Sequence, residues 1–100
     1  PLPVAPLSHR EPLRCGHVWL AAGDGHLVLR EDRTLGFESE PEGLLHRPSI
    51  DVFFASIALR LRARGCGVLL TGMGRDGAAG LGALRRAGFH TIAQDERSSV

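Results

Sequence analysis

The sequence predicts an α/β domain, part of a doubly wound, mostly parallel sheet with a β-hairpin insertion. Two observations predict it. From residue 49 onward the pattern alternates helix, strand, helix, strand, which calls for parallel strands joined by right-handed crossovers. Ahead of that alternation, two β-rich runs flank the short polar turn Glu31-Asp32-Arg33, a hairpin signal.

The elements follow in order. The opening, PLPVAPLSHREPL, is Pro-rich and irregular, so residues 1–15 read as a linker or lead-in. Residues 17–22, HVWLAA, are a short apolar run between Gly16 and the turn Gly23-Asp24-Gly25, which predicts a buried strand. Residues 26–30 and 34–40 form the two arms of the hairpin, and a loop then runs to Pro48. Ser49 is suited to N-cap a helix, with Asp51 in its first turn and Val52, Ile57 and Leu61 approximating one face; this helix is expected to stop near Gly65. Residues 67–71, GVLLT, are a continuous apolar run of the kind buried on both faces of a parallel sheet, and Cys66 opens it as a small buried hydrophobe. The turn GMGRDG leads into a second helix over residues 76–87, closed by Gly88 as its C′ glycine. Residues 90–94, HTIAQ, predict a third core strand, and Ser98 or Ser99 could cap a further helix.

Composition narrows the functions. The 100 residues are 43% apolar and 23% charged with a net charge of +1, which argues against a dedicated nucleic-acid binder. All twelve basic residues are Arg, but they are interspersed with acids and form no patch. Cys15 and Cys66 fit no zinc or redox spacing, no two histidines fall at a helix interval, and no calcium-loop pattern is present, so no metal is expected. The longest apolar stretch is too short to span a bilayer. Residues 1–12 hold no apolar core of signal-peptide length, and the chain begins with Pro. The expectation is an internal piece of a longer cytoplasmic protein.

The glycine turn has several readings. Gly72-Met73-Gly74-Arg75-Asp76-Gly77 follows a strand and opens a helix, so it is a G-x-G-x-x-G, and Asp95 lies 18 residues past Gly77 where a ribose-binding acid is expected. That pattern suggests a dinucleotide-binding module. Against it, Asp76 puts a negative charge where the pyrophosphate would meet the helix, and some seventy residues precede a fingerprint that usually opens its domain. A plainer reading makes Asp76 the N-cap of the second helix, accepting N–H groups of the next turn.

Three longer stretches carry a resemblance: HVWLAAGDGHLVL, then HRPSIDVFFASIA, then GVLLTGMGRDGAAGLGALRRAGFHTIAQDERSSV. In order and spacing they resemble the catalytic domain of the chemotaxis protein-glutamate methylesterases, over residues 16–100, 85 of the 100. The resemblance implies that residues 16–100 are the C-terminal portion of a Rossmann-like hydrolase domain, truncated at both ends. It makes Asp76 the acid of a Ser-His-Asp triad, orienting a histidine and stabilising the imidazolium. Such a role is compatible with capping, because helix N–H groups favour the carboxylate anion. On the same resemblance, Met73 and Gly74 share the turn and would border the reaction site, Met73 in a direct or a structural role; His26 would line the substrate groove or make a structural hydrogen bond; Arg47 would contact an acidic receptor surface or a loop partner.

The family's nucleophilic Ser and basic His lie in earlier segments with no counterpart in residues 1–12. None of Ser49, Ser56, Ser98 and Ser99 sits in a nucleophile-elbow context. The isolated chain is therefore expected to be inactive. By resemblance, the intact enzyme hydrolyses glutamate methyl esters on chemoreceptor helices to glutamate and methanol. Many relatives deamidate receptor glutamines as well, and the family carries a receiver domain and needs no cofactor. Two other classes stay open: the dinucleotide-binding module, and a non-catalytic domain of the same fold that holds a receptor helix.

Overall fold

Strand β1 (Val4–Leu7) pairs in parallel with β3 (Val18–Ala21), Val4 opposite Val18 and Leu7 opposite Ala21, in a computed structural model that describes residues 2–39, 49–70 and 76–94. The sequence expectations at Arg47, Met73, Gly74, Asp95, Ser98 and Ser99 lie outside those residues. β1 corrects the expectation of an irregular lead-in. Its Pro6 lacks an N–H, but among the described residues β1 has a neighbour on one side only, and an edge position tolerates proline. Complete burial of Leu7 favours the strand further.

A second, antiparallel sheet has the order β2-β5-β4, formed by Glu11–Pro12, Thr34–Glu38 and His26–Leu29. Across β4 and β5, His26 faces Glu38 and Leu29 faces Leu35. In the turn between them the Arg30 N–H donates to the Thr34 carbonyl at 2.8 Å, and Arg33 adopts a positive φ of 67°. The Thr34 hydroxyl and N–H both donate to Asp32, whose carboxyl is held below its usual range by that hydroxyl first and by the nearby Arg10 as well.

Helix α1 (Ile50–Arg60) starts at Ser49 as expected, with Asp51 in its first turn. It ends at Arg60, well short of Gly65. Leu61 turns extended (φ −89°, ψ 118°), and its side chain packs between two apolar clusters. One cluster is Leu7, Leu29 and Leu35; the other is Phe54, Leu84 and Phe89. Phe53, Ile57 and Leu61 touch both, so the bridging face is led by Phe53 and not by Val52. α1 thus wedges between the antiparallel sheet and the second helix.

Strand β6 (Cys66–Leu69), helix α2 (Ala78–Arg86) and strand β7 (His90–Ala93) follow, with β6 and β7 parallel and Cys66 opposite His90. Gly88 ends α2 as the sequence predicts. At φ 97° it lets its own N–H reach the Arg85 carbonyl (3.1 Å) and the Phe89 N–H reach that of Leu84 (3.0 Å), while Leu84 and Phe89 pack together.

The α/β class and its parallel strands agree with the sequence. The burial of those strands does not. Gly67 is buried beneath Leu81 and Leu84 of α2, but Cys66 and Val68 alternate to the other face and are exposed. Among the described residues that face has no cover, so Cys66 is not the buried hydrophobe its flanks suggest. β3 is likewise open on one side, with Val18 and Leu20 exposed and Trp19 half-buried. No helix among the described residues is long and apolar enough to cross a membrane.

Candidate active site

The start of α1 and the start of α2 meet through two aspartates. A helix N-terminus leaves backbone N–H groups without intrahelical acceptors. At α1 the Ser49 hydroxyl accepts from the Val52 N–H at 3.4 Å, serving N3. The N–H groups of N1 and N2 donate elsewhere: Ile50 to Asp76 Oδ2 at 2.7 Å, and Asp51 to Asp76 Oδ1 at 3.1 Å. The Ser49 hydroxyl in turn donates to Asp76 Oδ1 at 2.9 Å. Asp76 therefore caps α1, the helix before its own.

The exchange is reciprocal. α2 has Gly77 as its N-cap, which has no side chain to supply an acceptor. Asp51 Oδ1 fills the place, accepting from the Gly77 N–H at 3.0 Å and the Gly80 N–H at 2.7 Å. Each helix start receives its carboxylate from the other helix, and each carboxylate lies where the helix dipole favours a negative charge. The expectation that Asp76 is the N-cap of α2 is corrected here: Gly77 holds that position, and the two helix starts approach closely. The two starts are close enough that a Cβ on Gly80 would stand 2.7 Å from the Phe54 Cβ and 3.0 Å from the Asp51 Cα. At such a spacing, the neighbouring helix's acceptor lies within reach.

Behind the crossing, His26 is fully buried, and its Nδ1 accepts from the Ser49 N–H at 3.0 Å. That role leaves the proton of a neutral ring on Nε2. His26 thus fixes the residue that caps α1 and contacts Asp76, instead of opening to solvent. Beside Ser49, a cavity of about 390 Å³ is lined by Ala21, Leu27, Ile50, Phe53, Val68 and Leu70 among others, and Ser49 is the one polar side chain in its described lining. The cavity is apolar, with the carboxylate-bearing crossing at one end. A second cavity, lined by Arg10, Arg30, Glu31, Asp32, Glu38 and Arg60, lies among ion pairs on the antiparallel sheet.

Of the residues the sequence singles out, the structure brings together Asp76, Ser49, Asp51 and His26. Met73, Gly74 and Arg47 lie outside the described residues. Asp51 is the residue whose part at the crossing sequence reasoning missed. A signal was present: Gly77 and Gly80, three apart at a helix start, leave room for a neighbour to approach. Among the described residues no group of three or more His, Cys, Asp or Glu is placed to hold a metal ion.

Comparison with known proteins places these features in context. A family model described as CheB methylesterase matches residues 1–100. A protein-glutamate methylesterase/protein-glutamine glutaminase of Bordetella avium is 51% identical over 99% of the chain, which is 29% of that protein's length. A relative of the same name from Pseudomonas syringae pv. tomato is 49% identical over 99% of the chain and 30% of its own length. One from Burkholderia lata is 50% identical over the whole chain, again 30% of its own length. The chain spans about three tenths of the length of the curated relatives it matches.

Proposed function

Because the chain belongs to the CheB methylesterase family, we propose that it is the C-terminal portion of a catalytic domain that hydrolyses glutamate methyl esters on chemoreceptors, with Asp76 as the acid of a Ser-His-Asp triad. The observation that carries this reading is the placement of Asp76. Its carboxylate lies beyond the carboxyl end of β6, where open α/β sheets bind their substrates. Three hydrogen bonds from the start of α1 direct it.

A triad acid has to remain an anion, hold one imidazole tautomer and keep its direction. A carboxylate held by backbone donors at a helix start is suited to all three tasks. The serine and histidine belong to residues of the full-length protein outside this chain. There the serine oxygen attacks the ester carbonyl while the histidine takes its proton; the carbon–methoxy bond breaks, and the histidine returns the proton to the departing methanol. Water then hydrolyses the acyl-enzyme, releasing the receptor with a glutamate side chain, by the same proton path. Glutamine deamidation follows the same course with ammonia leaving. Met73 and Gly74 border the reacting carbonyl, Arg47 faces the acidic receptor, and His26 supports Ser49 from beneath. The antiparallel β4–β5 pair is a hairpin inserted in a doubly wound sheet whose other strands lie elsewhere in the protein, which acts in the cytoplasm beside a receiver domain.

Against the dinucleotide reading, the Gly77 and Gly80 N–H groups at the start of α2 already donate to Asp51. The test is methanol release from a methylated receptor fragment by the full-length protein. Asp76→Asn is expected to lower kcat by about 10³- to 10⁴-fold with substrate binding little changed. Release at the wild-type rate from that variant would overturn the triad assignment.

A further inference from the structure

We propose that Asp51 is a positioning residue for the reaction: by accepting the Gly77 and Gly80 N–H groups, it fixes the backbone that carries Asp76 and hence the direction of that carboxylate. The inference rests on the triad reading of Asp76.

Two sets of contacts act on the same short segment. The Asp76 side chain is tied to α1 by the Ser49 hydroxyl and the Ile50 and Asp51 N–H groups. The backbone just after it is tied to the same helix turn by Asp51 Oδ1, at 3.0 Å from the Gly77 nitrogen and 2.7 Å from that of Gly80. Side chain and main chain are thus referred to one rigid element. With the side-chain contacts alone, the carboxylate could follow any tilt of the glycine-flanked segment. With both, a change of direction requires the start of α2 to leave α1.

Asp51 is also the residue through which the two sets join. Its N–H donates to Asp76 while its carboxylate accepts from the residue next to Asp76. Gly77, at φ 103°, supplies no side chain of its own to cap α2, so without Asp51 two N–H groups lose their acceptor and the turn is freed. The requirement on the acid is directional. A misplacement of about 1 Å in a reacting array costs on the order of 10²-fold in rate.

The test compares variants of the full-length protein by methanol release across pH. Asp51→Ala is expected to lower kcat by about 10- to 100-fold with KM little changed. It should also move the acid limb of the kcat/KM profile to lower pH, because the imidazolium loses its aligned counter-ion. Asp51→Asn keeps a carbonyl oxygen able to accept both N–H groups, and is expected to recover most of kcat and the wild-type limb. A wild-type kcat in Asp51→Ala, or a lowered kcat with an unmoved limb, overturns the proposal. If Asp51→Ala does not fold, Asp51→Glu displaces the acceptor by one methylene and is expected to move the limb the same way; an unmoved limb there is equally fatal. Asp76→Asn run in parallel separates the two claims. A retained kcat in that variant removes the triad reading, whereas its loss beside an unaffected Asp51→Ala removes the positioning role alone.

Discussion

Ser56 answers a need that no local pattern announces. Its hydroxyl accepts from the Leu29 N–H of β4 at 2.9 Å and donates to the Phe53 carbonyl at 2.7 Å, while Arg60 donates to the Leu29 carbonyl. The edge of β4 turned away from β5 is thus satisfied by side chains of α1. In the sequence Ser56 is one more helix residue; its task depends on a strand 27 positions earlier. Ser56→Ala leaves a buried donor without an acceptor, and is expected to cost about 1–3 kcal/mol of stability in urea unfolding. An unchanged midpoint would show that water replaces the hydroxyl. Asp76 is the converse case. The motif around it points to a carboxylate near a helix start, but which helix it caps was not legible, since the donors come from 25 to 27 residues upstream.

Among the elements, what is legible is what short-range chemistry decides. Ser49 as N-cap, Asp51 in the first turn and Gly88 closing α2 are all set within a few residues. The end of α1 is different, because Leu61 leaves the helix to enter a space formed by two clusters distant in sequence. The strand within the Pro-rich opening was hidden in the same way, since pairing with β3 overrides its composition. The α1–α2 contact supplies a test in which propensity and packing oppose each other. Gly80→Ala gains about 1 kcal/mol of helix propensity, but the new methyl overlaps Phe54 and Asp51. Overpacking of about 1–3 kcal/mol is expected to win, lowering the thermal midpoint and loosening the Asp51 cap. A raised midpoint would mean that the helices separate readily.

For the whole molecule, the α/β class was readable because alternation of element types survives in any fragment long enough to contain it. Which of its faces are covered was not readable, because burial depends on contacts distant in sequence. Val4, Val18 and Leu20 on one parallel ribbon, and Val68, Leu70 and Ile92 at the other, are large apolar side chains left exposed. Parallel sheets are ordinarily covered on both faces. The isolated 100-residue chain is therefore expected to self-associate, and Val68→Thr with Ile92→Thr to reduce that association without loss of helix content. Light scattering and circular dichroism read the two effects. A monodisperse wild-type chain would show that these surfaces tolerate water.

The crossed caps also have a place in time. Their hydrogen bonds join residues 25 to 29 apart, so they close only after the chain beyond β6 has brought the start of α2 back against α1. Contacts of that kind belong to the late side of a folding barrier, and weakening them hastens unfolding more than it delays folding. The acid would then acquire its aim last and lose it first. On the proposed triad role, alignment of the Asp76 carboxylate would be a property of the fully closed chain, and a transient opening at the helix starts would undo it before the rest of the fold gives way.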